Sequence, residues 1–203
     1  MFSLDIPHEK YFLSRFIIPS LVFNVSKVPI RKRPFASILF EASTRRISVG
    51  GNPCILLPVE ALLYIVKALE KEMPEACDVL ELIGESFGRS DARQMSQTNF
   101  EEKIGHIREV YSSGSRWGFG VYKLISMRPE KPIEIVFQVE NDPFYLQAEK
   151  DKAALKFGLH SFFVGFYSEY FSEIFGRRLI CRHPKCKCKG DPVCEFRIEE
   201  PSP

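Results

Sequence analysis

The stretch CRHPKCKCKGDPVCEF, residues 181–196, holds four of the six cysteines and one of the four histidines of the chain. Such a density of thiol and imidazole groups is typical of a metal site, a disulfide cluster or a redox centre. In a reducing compartment, clustered cysteines bind metal more often than they form disulfides. The stretch has no C-x-x-C pair, which argues against a thioredoxin-like centre. Two alternatives to zinc stay open: a disulfide, and an iron–sulfur cluster on all four thiolates, although their spacing matches no common cluster motif.

A structural zinc ion requires four nitrogen or sulfur ligands in tetrahedral directions. Cys186 and Cys194 have seven residues between them, and Gly190 in that loop lets the chain turn tightly. His183 lies three residues before Cys186, close enough to reach the same ion. The spacing leaves the fourth ligand open among Cys181, Cys188 and a residue distant in sequence, such as His160.

The flanking segments predict the structural setting of this stretch. Alternating apolar residues predict strands over 178–183 and 193–200, which form a terminal hairpin. The segment from about Lys150 to Phe175 is apolar nearly all round, and a helix of that kind is covered on most sides. His160 lies on this helix, so a ligand there would clip the helix to the hairpin.

The preceding part of the chain alternates between the two secondary-structure periods. The predicted elements are helices over 58–73, 74–88 and, more weakly, 100–107, strands over 115–126 and 131–140, and an early hairpin over 35–51. The predicted fold is therefore α+β, an antiparallel β-sheet packed against several α-helices, with a zinc-clipped C-terminal β-hairpin. We expect residues 1–35 to form an N-terminal arm and residues 36–203 to form one ligand-binding domain.

Composition excludes several classes of protein. A chain of 203 residues with 45% hydrophobic residues can form a substantial core without disulfides. The net charge of only +2 argues against a dedicated nucleic-acid binder. No apolar run approaches the ~18 residues of a membrane span. Charged residues within the first sixteen interrupt any signal-peptide core, so we expect a cytoplasmic protein.

The stretch HPKCKCKGDPVCEF, with its C-x3-G-D-x2-C-E-F core from Cys186 to Phe196, resembles the end of the 4-vinyl reductase domain family. The segment GLHSFFVGFYSEYFSEIFGRRL, residues 158–179, is similar to the last long helix of that family. The resemblance covers roughly residues 36–200. It implies an α+β domain that usually dimerises, a fold shared with phenol- and hydrocarbon-sensor domains and with TRAPP vesicle-tethering subunits.

The resemblance also implies a ligand set. In the phenol sensors a zinc ion lies beside the ligand pocket. Carried over by position, its four ligands here are His160, His183, Cys186 and Cys194. The first two positions are commonly Cys and Glu in the sensors, but two imidazoles and two thiolates still complete a zinc site. Cys181 and Cys188 are extra donors that could displace one of the four.

The leading functional interpretation is a non-catalytic domain that binds a small hydrophobic molecule, an aromatic, a hydrocarbon or an acyl chain, in an internal pocket. Apolar pockets with few polar groups suit such ligands. The predicted pocket residues are Trp117, Phe119, Phe162 and Phe166, with His106 and Tyr122 as polar contacts. The alternative for each aromatic is a purely structural place in the core.

Two other functions stay open. One is a reductase, or a subunit of one, in tetrapyrrole-type metabolism, although the chain has no G-x-G-x-x-G or P-loop motif. The other is a dimeric tethering or interaction scaffold, because an apolar helix serves a dimer interface as well as a pocket. The expected partners are the small hydrophobic ligand, a second copy of the chain and a regulatory protein.

Overall fold

A computed structural model describes residues 38–41, 46–49, 52–55, 57–93, 98–113, 118–150 and 158–201. Within these ranges the helices are α1 Val59–Glu72, α2 Ala76–Arg93, α3 Phe100–Ser113, α4 Pro143–Lys150 and α5 Gly158–Phe175. The strands are β1 Ile38–Glu41, β2 Arg46–Val49, β3 Asn52–Cys54, β4 Val121–Arg128, β5 Glu134–Glu140, β6 Ile180–Lys185 and β7 Cys194–Glu199. The predicted α+β class is confirmed.

The chain divides into two compact units between Pro53 and Cys54. The first unit contains β1, β2 and the first two residues of β3, and these strands form a three-stranded sheet in the order β1-β2-β3. Strands β1 and β2 pair antiparallel with Phe40 opposite Ile47, as the predicted hairpin requires. The predicted boundary between residues 35 and 36 lies outside the described residues and stays a prediction.

The second unit is built on a four-stranded antiparallel sheet in the order β4-β5-β7-β6. Its register places Phe137 of β5 opposite Phe196 of β7, and both side chains are buried. The two rings stack with their centroids 5.5 Å apart. Helix α5 covers this face, since Tyr167 packs edge-on against both rings. The terminal hairpin β6-β7 is thereby joined to the aromatic core.

Helices α2 and α5 meet backbone to backbone through glycine. A Cβ atom on Gly84 or Gly88 would overlap the carbonyl oxygen of Phe162 or Phe166, and one on Gly165 would overlap that of Glu81. Gly88 was predicted near the end of its helix, but α2 continues to Arg93. The glycine here serves a close helix crossing and does not end the helix.

Three other details differ from prediction. Lys150 ends a separate helix, α4, and the long apolar helix begins at Gly158. Strand β4 begins at Val121, whose side chain is exposed, and its buried residue is Tyr122. Alternation along β7 predicts that Glu195 points outward, on the side opposite Cys194 and Phe196, but Glu195 is only 6% exposed.

Glu195 is buried because it has two partners. Its Oε2 accepts hydrogen bonds from Lys185 Nζ at 2.8 Å and from Gln138 Nε2 at 2.9 Å. The Lys185 ammonium in particular holds the pKa of this carboxyl below its ordinary value. A buried charge is tolerated when it is paired in this way.

No helix among the described residues is both long enough and apolar enough to cross a membrane.

Candidate metal centre and apolar cavity

The loop between β6 and β7 is a tight turn that carries one cysteine at each end. The carbonyl of Cys186 accepts the N–H groups of Lys189 at 2.8 Å and Asp191 at 3.2 Å. Asp191 Oδ2 in return accepts the N–H of Cys186 at 2.8 Å. Gly190 has a φ of 94°, a left-handed conformation that favours glycine. These bonds hold Cys186 close to Cys194 at the start of β7.

Four potential ligand atoms, from His160, His183, Cys186 and Cys194, all lie within 4.8 Å of one another and could hold a metal ion. His160 comes from α5, His183 from β6, and the two cysteines from the hairpin loop and β7. His160 Nδ1 lies 3.4 Å from Cys186 Sγ, and its Nε2 lies 3.9 Å from Cys194 Sγ.

These distances fit a tetrahedral zinc site. Zinc–sulfur bonds of about 2.3 Å and zinc–nitrogen bonds of about 2.0–2.1 Å at tetrahedral angles separate a sulfur from a nitrogen ligand by roughly 3.6 Å. The distance of 3.4 Å between His160 Nδ1 and Cys186 Sγ is close to that value. The donor set, two thiols and two imidazoles, is one that zinc takes in structural sites.

The surroundings of His183 keep its ring neutral, and a neutral imidazole is the form that binds a metal. Its ring stacks on Phe196 with centroids 4.4 Å apart and planes at 6°. Burial, aided by the neighbouring His160, lowers the pKa of His183 to about 4. Its buried Nε2 has no hydrogen-bond partner among the described residues. A buried polar atom without a partner is costly, and a bound metal is one way to relieve such a cost at this site.

The surroundings of His160 shift its pKa in the opposite direction to that of His183. Burial disfavours its charged form, but the contacts of its ring with Asp142 and Cys186 outweigh burial and raise its pKa to about 9. The Cys186 sulfur accepts hydrogen bonds from the Cys188 and Cys194 thiols, which lower its pKa. The lowered pKa favours the thiolate form of Cys186, which is the form that binds metal.

The two extra cysteines differ in position. Cys188 is half-buried, lies beside Cys186, and has a raised pKa because its thiol donates to that sulfur. Cys181 is buried and its Sγ donates to the carbonyl of Arg182 at 3.7 Å. Neither belongs to the group of four donors that lie within 4.8 Å of one another. Cys181, Cys186, Cys188 and Cys194 are free thiols, as is Cys77 on α2.

A small apolar cavity of about 40 Å³ lies against α5 on the side of α2, α3 and β4. Most of its lining side chains are aromatic. They include four of the predicted pocket residues, Phe119, Tyr122, Phe162 and Phe166. His106, half-buried on α3, does not line this cavity, and Trp117 lies outside the described residues. That these residues bind a ligand stays a prediction.

The polar groups of the cavity are hydroxyls and one carboxylate. The hydroxyls of Tyr122 and Tyr167 lie 2.7 Å apart in a buried hydrogen bond. Burial raises the pKa of Tyr122 to about 12 and that of Tyr167 well above its ordinary value, so both stay neutral. Asp91 is the one charged residue, and no Lys or Arg occurs, among the described residues of the lining.

Asp142 is a buried carboxylate at the candidate metal centre that sequence reasoning missed. It is 5% exposed, precedes α4, and places Oδ2 3.5 Å from His160 Nε2. The signal was present, because Asp followed by Pro143 is a typical helix start. Because this helix start was not recognised, both α4 and the Asp142 carboxylate were missed.

The sequence matches no protein-family model and no curated protein. The structure is similar to the crystal structure of the phenol-responsive sensory domain of the transcription activator PoxR with phenol. That match has 19% identity, covers 80% of this chain and 84% of that domain, and has a TM-score of 0.65. The chain has the fold of this sensory domain. The expected 4-vinyl reductase-like fold is confirmed, at low sequence identity.

Two other solved structures are similar at lower scores. A vinyl-4-reductase family protein from Methanocaldococcus jannaschii is 19% identical, with a TM-score of 0.44 and coverage of 73% of this chain and 85% of that one. A trafficking protein particle complex subunit 3 from Naegleria fowleri, covalently bound to palmitic acid, is 13% identical. It has the same TM-score of 0.44, with coverage of 71% of this chain and 95% of that one.

Proposed function

We propose that this chain is a non-catalytic sensor domain that binds a small neutral hydrophobic molecule and contains a structural zinc ion. The main observation behind this proposal is that α5 contributes side chains both to the four-donor cluster and to the apolar cavity. His160 near its start belongs to the four-donor cluster, and Phe162, Phe166 and Tyr167 further along line the apolar cavity. The similarity to a sensory domain solved with phenol supports the same assignment.

Zinc is the metal that the donor set favours. Two soft thiolates and two imidazoles select zinc over oxygen-preferring ions such as magnesium or calcium. A site closed by four protein ligands has no open position for a substrate, so the role is structural. When bound, the ion would join α5 to the terminal hairpin at the edge of the aromatic core.

Native mass spectrometry of freshly purified, unreduced protein tests both parts of the proposal. We expect one zinc per chain, an organic adduct of low mass, and a dimeric assembly. The dimer is part of the proposal because α1 and α2 expose large apolar side chains, among them Ile65, Leu82 and Ile83. A metal-free mass, short by the hydrogens lost to disulfides, would contradict the zinc site.

The charge of the cavity predicts the class of ligand. A carboxylate would find no cation among the described lining residues and would face Asp91, and a buried unpaired charge is costly. The paired hydroxyls of Tyr122 and Tyr167 suit one hydroxyl or carbonyl group. The cavity of about 40 Å³ has room for about one water molecule, so the aromatic side chains must move when an aromatic ligand binds.

We expect phenol to bind at least about ten-fold more tightly than benzoate, a difference of about 1.4 kcal/mol. Titration calorimetry with both compounds measures it. Tyr122→Phe should weaken phenol binding, and it should also lower the unfolding temperature because the Tyr167 hydroxyl loses its buried partner. The exposed Tyr64→Phe serves as the matched control and should change neither. Tighter binding of benzoate would rule out the neutral-ligand class.

The same proposal assigns residues 36–203 to the ligand-binding domain, residues 1–35 to an N-terminal arm, and the output to a regulatory protein partner. An interaction scaffold is the second candidate, favoured by the same exposed apolar side chains of α1 and α2. A dimer without metal and without any bound organic molecule would favour the scaffold.

A further inference from the structure

We propose that Asp142 is the positioning residue of the metal centre, and that its carboxylate orients His160 so that Nδ1 is free for the metal. The inference rests on the proposed metal centre and goes beyond it, because Asp142 is not one of the four donors. It follows from which atoms of the two side chains face each other.

The two carboxylate oxygens of Asp142 have different partners, the start of α4 and the ring of His160. Oδ1 accepts the N–H groups of Phe144 at 2.8 Å and Tyr145 at 3.3 Å, which caps the start of α4. Oδ2 faces His160 Nε2 at 3.5 Å, the outer limit of a hydrogen bond. Because the start of a helix carries a partial positive charge, α4 stabilises the ionised carboxylate in this buried position.

An ionised carboxylate can only accept a proton from the ring, so it requires the hydrogen on Nε2. When a metal takes the place of the second ring proton, the neutral imidazole keeps its one hydrogen on Nε2, and Nδ1 has a lone pair for the metal. Nδ1 is the His160 atom that lies 3.4 Å from the Cys186 sulfur. The carboxylate therefore selects the tautomer and the ring orientation that a metal beside Cys186 needs. Carboxylates that accept the second N–H of a ligating histidine also raise its basicity toward the metal.

The position of Asp142 is determined by local structure. Asn141, just after β5, has a φ of 53°, a left-handed conformation that asparagine tolerates better than most residues. The turn brings Asp142 to the N-cap, and Pro143 begins the helix. The carboxylate is thus held by the backbone of α4 and not by a mobile loop, which suits a group that must keep one ring in a single orientation.

The test substitutes Asp142→Asn and measures zinc affinity by competition with a chromophoric chelator, using zinc alone as the probe. The asparagine oxygen can still accept the N–H groups of Phe144 and Tyr145, so its NH₂ group must face His160. That donor opposes the N–H on Nε2. We expect zinc affinity to fall about 10–100-fold, with the metal-free protein unfolding near the wild-type temperature.

Two further variants separate positioning from capping. Asn99 caps α3 in the same way, since its Oδ1 accepts the N–H of Glu102 at 2.9 Å. Asn99→Ala should lower the unfolding temperature and leave zinc affinity unchanged. Asp142→Ser retains a capping oxygen but lacks the second oxygen, and it should lose zinc affinity like the asparagine variant. It also keeps the test valid if the asparagine variant does not fold.

Long-range ¹H–¹⁵N NMR of the histidine rings gives a readout that a purely structural role would not change. In metal-free wild-type protein, at a pH above the pKa of His160, the ring should be protonated on Nε2 only, and the Asp142 variants should lose this single tautomer. If the wild-type protein binds zinc, and both Asp142 variants bind it equally tightly and give the same spectra, the positioning role of Asp142 is overturned and the metal centre is retained. A wild-type protein that binds no zinc would overturn the metal centre, and this inference would fall with it.

Discussion

Cys194→Ser will release the metal and lower the midpoint of thermal unfolding by about 8–16 °C. A metal present at a thousand times its Kd stabilises a folded chain by about 4.1 kcal/mol. In a chain of this size each kcal/mol corresponds to about 2–4 °C. Serine is a poor zinc ligand, and Cys194 is buried at the start of the last strand of the sheet. Its loss would remove the metal link between the hairpin and α5.

Zinc content by elemental analysis and thermal unfolding with and without a chelator measure this effect. The chelator should lower the wild-type midpoint to that of the Cys194→Ser variant and should not change the variant further. Cys188→Ser tests the ligand set, because it should retain zinc. Cys77→Ser, half-buried on α2, controls for the removal of a thiol elsewhere.

Two results would contradict the assigned ligands. Unchanged zinc content and an unchanged midpoint in Cys194→Ser would remove Cys194 from the site. Loss of zinc in Cys188→Ser would mean that this third thiol replaces one of the four donors that lie together.

Gly165→Ala will destabilise the domain by at least about 2 kcal/mol, because extra atoms in a well-packed interior cost about 1–3 kcal/mol or more. The new Cβ would overlap the backbone carbonyl oxygen of Glu81 on α2. A backbone atom cannot move aside as a flexible side chain can, so the two helices must separate. The expected fall in the unfolding midpoint is about 4–8 °C.

Gly105→Ala is the matched control for this substitution. Gly105 lies within α3, and a Cβ there would meet nothing within 4 Å. Alanine favours a helix interior by about 1 kcal/mol over glycine, so this variant should be slightly more stable than wild type. Chemical denaturation of both variants measures the difference. Equal effects at the two positions would disprove the close helix crossing.

Gly88 and Gly165 show why sequence patterns predicted the helices but not the contacts between them. Apolar spacing reports which face of a helix is buried, and it placed α1, α2, α3 and α5 approximately where they occur. It does not report the partner. Gly88 therefore suggested the end of a helix, whereas it lies inside α2 against the backbone of Phe166.

The candidate metal ligands show the same difference between what local sequence predicts and what it does not. The ligand candidates His183, Cys186 and Cys194 follow from local spacing, since a short loop with Gly190 brings them together whatever the remaining fold. Thiol and imidazole chemistry then indicates the kind of ion. His160 lies 23 residues before His183, so local spacing left it as one option, and the family resemblance singled it out.

What the amino-acid pattern established is the α+β class, the terminal hairpin and three candidate metal ligands in and beside its loop, because these depend on periodicity and on neighbours in sequence. Folding in three dimensions established the rest: His160 beside Cys186, Asp142 behind His160, and four of the predicted aromatics around one cavity. The physical reason is that contacts between distant segments depend on how helices and sheet pack. Packing is set by the shape of the whole core and not by any local run of residues.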